Sequence, residues 1–140
     1  TYSGNLKLTG FQQGMKECGL DPSGRAVRCE PTVESAAESF TEMLDSAKKV
    51  DAVITANDVL AAGVLNAALA RGLRVSEDIS IVGYNNSIIA QCTAPKLSSI
   101  DNRLEDLCTL AVDGLTKLFR GESIEGVTML PPRIVSGGTM

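Results

Sequence analysis

Histidine and tryptophan are absent from this chain, and aromatic residues of all kinds make up only 4% of it. Without histidine there is no Ser–His or Cys–His nucleophile pair, and the commonest metal ligand is missing. Four cysteines are present, Cys18, Cys29, Cys92 and Cys108, but none stands in CxxC spacing, which argues against zinc-ribbon and dithiol redox motifs. Three of them fall in helix or strand patterns where a small apolar residue fits, so reduced thiols in a cytoplasmic protein are expected. No apolar run is long enough to span a bilayer, and the start lacks the basic, apolar and small-residue order of a signal peptide. The 13 basic and 17 acidic residues leave a net charge of −4, a poor electrostatic match for DNA. No glycine cluster, SGG at 136–138 included, follows a strand and opens a helix, so phosphate cradles are not indicated. Asp58, Asp78 and Asp101 read as helix-start or turn residues rather than as a carboxylate pair. The chain is therefore not expected to be an enzyme or to hold a cofactor or metal.

The remaining composition suits one globular domain with a core: 140 residues, 44% apolar and 21% charged. Its organising stretch runs from Asp51 to Asn86. VDAVITA (50–56) is a continuous apolar run of strand length, as a strand covered on both faces requires. Asn57 stands where a helix N-cap belongs, with Asp58 in the first turn. Ala61, Val64, Leu65 and Ala68 repeat at the spacing of one buried helical face, and Gly72 takes the left-handed stop position. ISIVGY (79–84) is the next buried strand. A strand–helix–strand of this length closes as a right-handed parallel crossover. Ligands of open parallel sheets bind beyond the carboxyl ends of the strands. Asn57 and Asn85 each follow a strand directly, so two amides, donors and acceptors both, are predicted at one edge. A plain cap for Asn57 and a plain turn for Asn85–Asn86 explain the same residues without a ligand.

The flanking segments read in turn. Thr1 to Asn5 is a short polar loop, and Leu8, Phe11, Met15 and Cys18 follow at helical spacing with Gly19 as the stop. AVRC (26–29) is a short strand candidate. Thr32 is a plausible N-cap for a helix whose buried stripe is Ala36, Phe40, Met43, Leu44 and Ala47, with Lys48–Lys49 at its C-terminal end. SIIAQCTAP (87–95) reads as an apolar loop, either packed on its own domain or covered by another subunit. LSSI (97–100) is a strand, and Asn102 with Glu105 fits a capping box. Leu104, Leu107, Ala111, Leu115 and Leu118 form a long apolar stripe ended by Gly121. Thr128 to Val135 is extended, but Pro131–Pro132 removes two ladder donors, so it belongs to an edge, a bulge or a bent crossover.

Several strings resemble the effector-binding domain of the LacI/GalR transcription repressors. These are AND (56–58) with Ala61 and Gly63, GLRVSEDISIVGYNN (72–86), PKLSSI (95–100) and the ending LPPRIVSGGTM (130–140). The resemblance runs from about Ser3 to Met140. It implies an α/β fold: a periplasmic-binding-protein-like type I lobe, with a parallel sheet flanked by helices. It further implies a partial domain, with the second lobe in 1–100 and 133–140 and crossover elements in 101–132 from a first lobe otherwise missing. A DNA-binding helix-turn-helix would likewise lie outside the chain, which would make it a truncated piece. The stripe on 103–119 would then pack on its own lobe or on a second copy.

The resemblance also implies a function: sensing a small, carbohydrate-like effector between two lobes so as to control operator binding, as a homodimer and without a membrane. Lys7, Asn57, Asn85 and Asn102 are the implied ligand contacts. Lys7 stands where relatives carry an arginine that clamps ligand hydroxyls, and it lacks that planar fork. Asn85 stands where relatives commonly carry an aspartate. Sugar-binding relatives can place an aromatic residue near Pro31, and this sequence has none there. The dimer surface is expected on the helix after AND and on the 87–95 loop, at Val59, Leu60, Ile88, Ile89 and Cys92. The alternative reading is a fragment of a secreted solute-binding protein serving a transporter, which shares the lobe architecture.

Overall fold

The computed structural model describes residues 2–46, 49–124 and 126–140. In chain order the elements are α1 (Tyr2–Glu17), α2 (Val33–Asp45), β1 (Ala52–Ile54), α3 (Asp58–Ala70), β2 (Ser80–Tyr84), α4 (Ile88–Cys92), β3 (Ser98–Asp101), α5 (Leu104–Phe119) and β4 (Arg133–Val135). The strands form one sheet in the order β1-β2-β3-β4. β1, β2 and β3 are parallel, with Val53 opposite Ile81 and Gly83 opposite Ser99. β4 runs antiparallel to β3, placing Arg133 opposite Asp101.

α3 is the centre of the core. Besides the predicted face of Ala61, Val64, Leu65 and Ala68, it also buries Ala62, Gly63 and Ala67. That happens because it is covered by the sheet on one side and by α2 on the other. A methyl group on Gly63 would overlap the Val33 carbonyl oxygen and Ala36 Cβ, so the helices approach closely where glycine removes the side chain. Phe40 from α2, Ile79 and Ile81 around β2, and Ala90 and Leu97 complete the cluster. The caps match the sequence: Thr32 accepts from Ser35 N at 3.1 Å and Asn57 from Leu60 N at 2.9 Å. α1, α3 and α5 all end in the same way. Gly19, Gly72 and Gly121 each have φ near +73 or +74, and the residue after each glycine donates back to Met15 O, Ala68 O or Lys117 O.

Several expectations are corrected. The helix of α1 reaches back to Tyr2, so 2–5 is not a loop; its polar residues suit a solvent-facing first turn, and Thr9 Oγ1 donates to Asn5 O. AVRC (26–29) joins no ladder, and its neighbourhood is held by side chains instead: Arg28 Nη2 donates to Asn5 Oδ1 at 3.0 Å and Arg25 Nη1 to Lys49 O at 3.2 Å. β1 is only three residues long and largely exposed, because it stands at the sheet edge with a single neighbour. α2 stops at Asp45, so Lys49 lies beyond the helix and pairs with Asp51 at 3.0 Å. Ala47 and Lys48 fall outside the described residues.

The 87–95 segment is not a loop throughout. Burial of Ala90 draws it into the short helix α4. The capping box at Asn102 does not form: Arg103, with φ +57, is the N-cap residue, and the Asp101 carboxylate takes its N–H at 2.8 Å. None of the four thiols sits in the core. Cys29 is half-buried and the others are exposed, all unpaired. α5 buries no residue, with Leu104, Leu115 and Phe119 at 67%, 56% and 90% exposure. Its stripe does not pack on its own lobe. β4 bears out the reading of the Pro131–Pro132 segment: it is an edge strand that begins just after the two prolines.

Candidate functional site

The four expected ligand residues follow or flank the carboxyl ends of β1, β2 and β3 along one arc: Asn85 and Asn102 touch directly, and Lys7 reaches the residues just before Asn57 and Asn85. α1 delivers Lys7, whose Nζ donates to the carbonyl of Ala56 at 2.8 Å and lies 3.7 Å from the centre of the Tyr84 ring. Ala56 precedes Asn57, and Tyr84 precedes Asn85. The Asn85 N–H donates to Ile100 O at 2.8 Å, extending the ladder one step past the strand. Asn102 Nδ2 then donates to Asn85 Oδ1 at 3.2 Å, while Asn102 Oδ1 is buried without a hydrogen-bond partner. Asn57 spends its oxygen on the helix cap, so of its side-chain groups the amide N–H donors are the ones outside that bond. Burial lowers the pKa of Lys7 from the usual lysine range, because removing water disfavours the ammonium.

Beneath the arc lies a network that sequence reading missed. Asp58 was assigned only to the first helical turn; its carboxylate is 1% exposed. Its Oδ2 accepts from Ser87 N at 2.6 Å and its Oδ1 from Ser99 Oγ at 2.6 Å. Ser99 Oγ accepts in turn from Asn86 N at 2.9 Å. Gly83 leaves the room for this carboxylate, since a methyl there would collide with Asp58 Oδ1. The start of α3, the end of β2 and the middle of β3 are thus fastened to each other directly below Asn85. Asp101 holds a second junction. It accepts from Arg103 N at 2.8 Å and from Arg133 Nε at 2.9 Å, and these bonds, the backbone one foremost, hold its pKa below the ordinary aspartate value.

Tyr84 was also missed as a site residue. Relatives can carry an aromatic residue near Pro31, where this chain has none; the aromatic side chain at this edge comes from the last residue of β2. Its position beside Asn85 was the available signal. Of the other expected surface, Val59, Leu60 and Ile89 are half-buried, while Cys92 is exposed and Ile88 is 70% exposed. They sit on the first turn of α3 and on α4, neighbours joined by the Asp58–Ser87 bond. A shallow groove of about 410 Å³ between α1 and residues 21–26 includes none of the arc residues. Among the described residues no group of three or more potential metal ligands occurs, and no helix is long and apolar enough to cross a membrane.

The sequence matches the periplasmic binding protein-like domain across residues 1–140. The chain belongs to that family. Within it, the relatives are regulators of LacI type. An HTH-type transcriptional regulator of Lachnoclostridium phytofermentans is 31% identical over 132 residues, covering 93% of this chain and 39% of the relative. The lac repressor dimer bound to operator and the anti-inducer ONPF superposes with a TM-score of 0.86 at 30% identity, covering 99% of this chain and 42% of that one. The transcriptional regulator CelR in complex with cellobiose gives a TM-score of 0.82 at 27% identity, covering 98% and 42%. The chain therefore spans about two-fifths of the length of the relatives it matches.

Proposed function

We propose that this chain is the effector-sensing part of a LacI-type transcriptional repressor, binding a small carbohydrate-like molecule against the arc of Lys7, Asn57, Asn85 and Asn102. The observation that carries the reading is the arc itself: the Asn85–Asn102 bond and the Lys7 bond to the residue before Asn57 bring four separate segments to one sheet edge. The cellobiose complex of CelR supports a carbohydrate-like ligand, and the operator-bound lac repressor dimer supports control of DNA binding. Residues 1–100 and 133–140 form the second lobe, and 101–132 supply crossover elements of the first. DNA is contacted by a helix-turn-helix outside this chain. A ligand that binds one lobe closure better than the other shifts operator affinity by that difference and no more. The ligand leaves unaltered; the protein works as a cytoplasmic switch, not as an enzyme. Two copies pair through Val59 and Leu60 of α3 and Ile88, Ile89 and Cys92 of α4.

The test uses the polypeptide as its source cell makes it. Operator affinity is measured by gel shift with and without a panel of sugars and sugar derivatives. At least one panel member is expected to change the affinity about fivefold or more, the lower end of typical allosteric coupling. An operator affinity that no member alters would overturn the reading.

A further inference from the structure

Lys7 gives the arc a positive charge that no anion among the described residues balances. The Ala56 carbonyl and the Tyr84 ring position the Lys7 ammonium, but neither partner is an anion. Among the described residues, no ion pair includes Lys7. The carboxylates below the edge are already engaged: Asp58 by Ser87 N and Ser99 Oγ, Asp101 by Arg103 N and Arg133. The other polar side chains of the arc, Asn57, Asn85 and Asn102, are neutral amides. Arg28, beside α1, is a second cation, and its partner is the Asn5 amide oxygen. A chain with a net charge of −4 thus presents at its candidate site a lysine ammonium without an anionic partner among the described residues.

Tyr84 points the same way. An aromatic face at a sugar site offers a platform for the apolar face of a neutral ring. Here the Lys7 ammonium lies 3.7 Å from the centre of the Tyr84 ring, so one face of that ring is taken by a cation. Closing a cleft over an ammonium with no counter-ion carries a desolvation penalty, and an incoming anion offsets it.

We propose that, on the effector reading above, the ligand carries a carboxylate or phosphate ester on a polyhydroxylated frame, its anionic group seated on Lys7 and its hydroxyls on Asn57, Asn85 and Asn102. The lowered Lys7 pKa agrees with this, since an ammonium short of water and of counter-charge gains most from an anion.

The test is calorimetric titration of the polypeptide, as its source cell makes it, with matched sets: neutral hexoses and pentoses, their uronic and aldonic acids, and their phosphate esters. The tightest ligand is expected to be anionic, binding at least about tenfold better than its neutral counterpart, as a charge-assisted bond implies. Which anionic arm wins distinguishes carboxylate from phosphate. Lys7→Met should erase the anion's advantage, and Lys7→Arg should keep it. Should Lys7→Met fail to fold, the wild-type comparison decides alone. A neutral sugar binding as tightly as its acid or ester, or an advantage that survives Lys7→Met, would overturn the inference while leaving the effector reading intact. Absence of binding by every member would overturn both.

Discussion

Asn85, Asn86 and Arg103 have φ values of +99, +51 and +57, so non-glycine residues in left-handed conformations cluster at the sheet's carboxyl edge. Such strain persists where surrounding bonds over-determine it, and the Asp58–Ser99–Asn86 bonds do so here. This dictates the right variant for Asn85. Alanine would mix loss of the amide with the cost of a β-carbon at positive φ, whereas glycine removes the side chain and suits the backbone. Asn85→Gly is expected to weaken effector binding about tenfold or more while the melting temperature stays within a degree or two; unchanged binding would remove Asn85 from the site. Asp58→Asn should do the opposite. The amide keeps one accepting oxygen where the carboxylate has two, so one buried donor loses its partner at a cost of about 2 kcal/mol, seen as a lower urea midpoint at an unchanged slope. The two residues also show what a sequence displays. Asn57 and Asn85 were legible because strand ends and helix caps are local. Asp58 looked like any helix-start acid, because its partners Ser87 and Ser99 lie 29 and 41 residues away.

Helices were read more accurately than strands. A cap, a stripe and a glycine stop are each recorded within a few residues, as in α3. Whether an apolar run such as VDAVITA is central or at an edge depends on neighbours that the run does not specify, and β1 proved to be an edge. Helix contact leaves its own mark in Gly63. Gly63→Val should separate α2 from α3 and cost about 3 kcal/mol through overpacking, measurable as a lowered melting temperature; a neutral effect would show that the two helices are not in close contact. The β3–β4 junction sets a pH response. Asp101 has a depressed folded pKa, so its contribution is complete above the usual aspartate value of about 3.9. It is lost as pH falls through the lower folded value. Arg133→Gln should therefore narrow the stability gap between neutral and acidic solution, and an unaltered acid-unfolding curve would contradict the assignment.

Taken whole, the described surface is uneven. Leu104, Leu107, Leu110, Val112, Leu115 and Leu118 of α5 are all exposed, more contiguous apolar surface than a lone soluble domain usually presents. A polypeptide confined to these 140 residues is expected to self-associate, giving a sedimentation coefficient that rises with concentration. Leu107→Glu combined with Leu115→Glu should abolish the rise carried by α5, leaving the pairing proposed for α3 and α4, with little change in melting temperature, because those side chains are not buried in the core.

One residue beyond β4 is as deeply placed as α5 is exposed. Thr139 is fully buried; its hydroxyl accepts from Ser98 N at 2.9 Å and donates to Ile81 O at 2.6 Å, and its carbonyl accepts from Ile81 N. The junction of β2 and β3 is therefore closed by a residue translated 41 positions after Ser98. At ordinary synthesis rates that is a wait of roughly two to eight seconds. Until Thr139 has left the ribosome, Ile81 and Ser98 lack these partners, so a nascent chain emerged no further than β3 is expected to be cleaved by protease at this junction faster than one that includes Thr139.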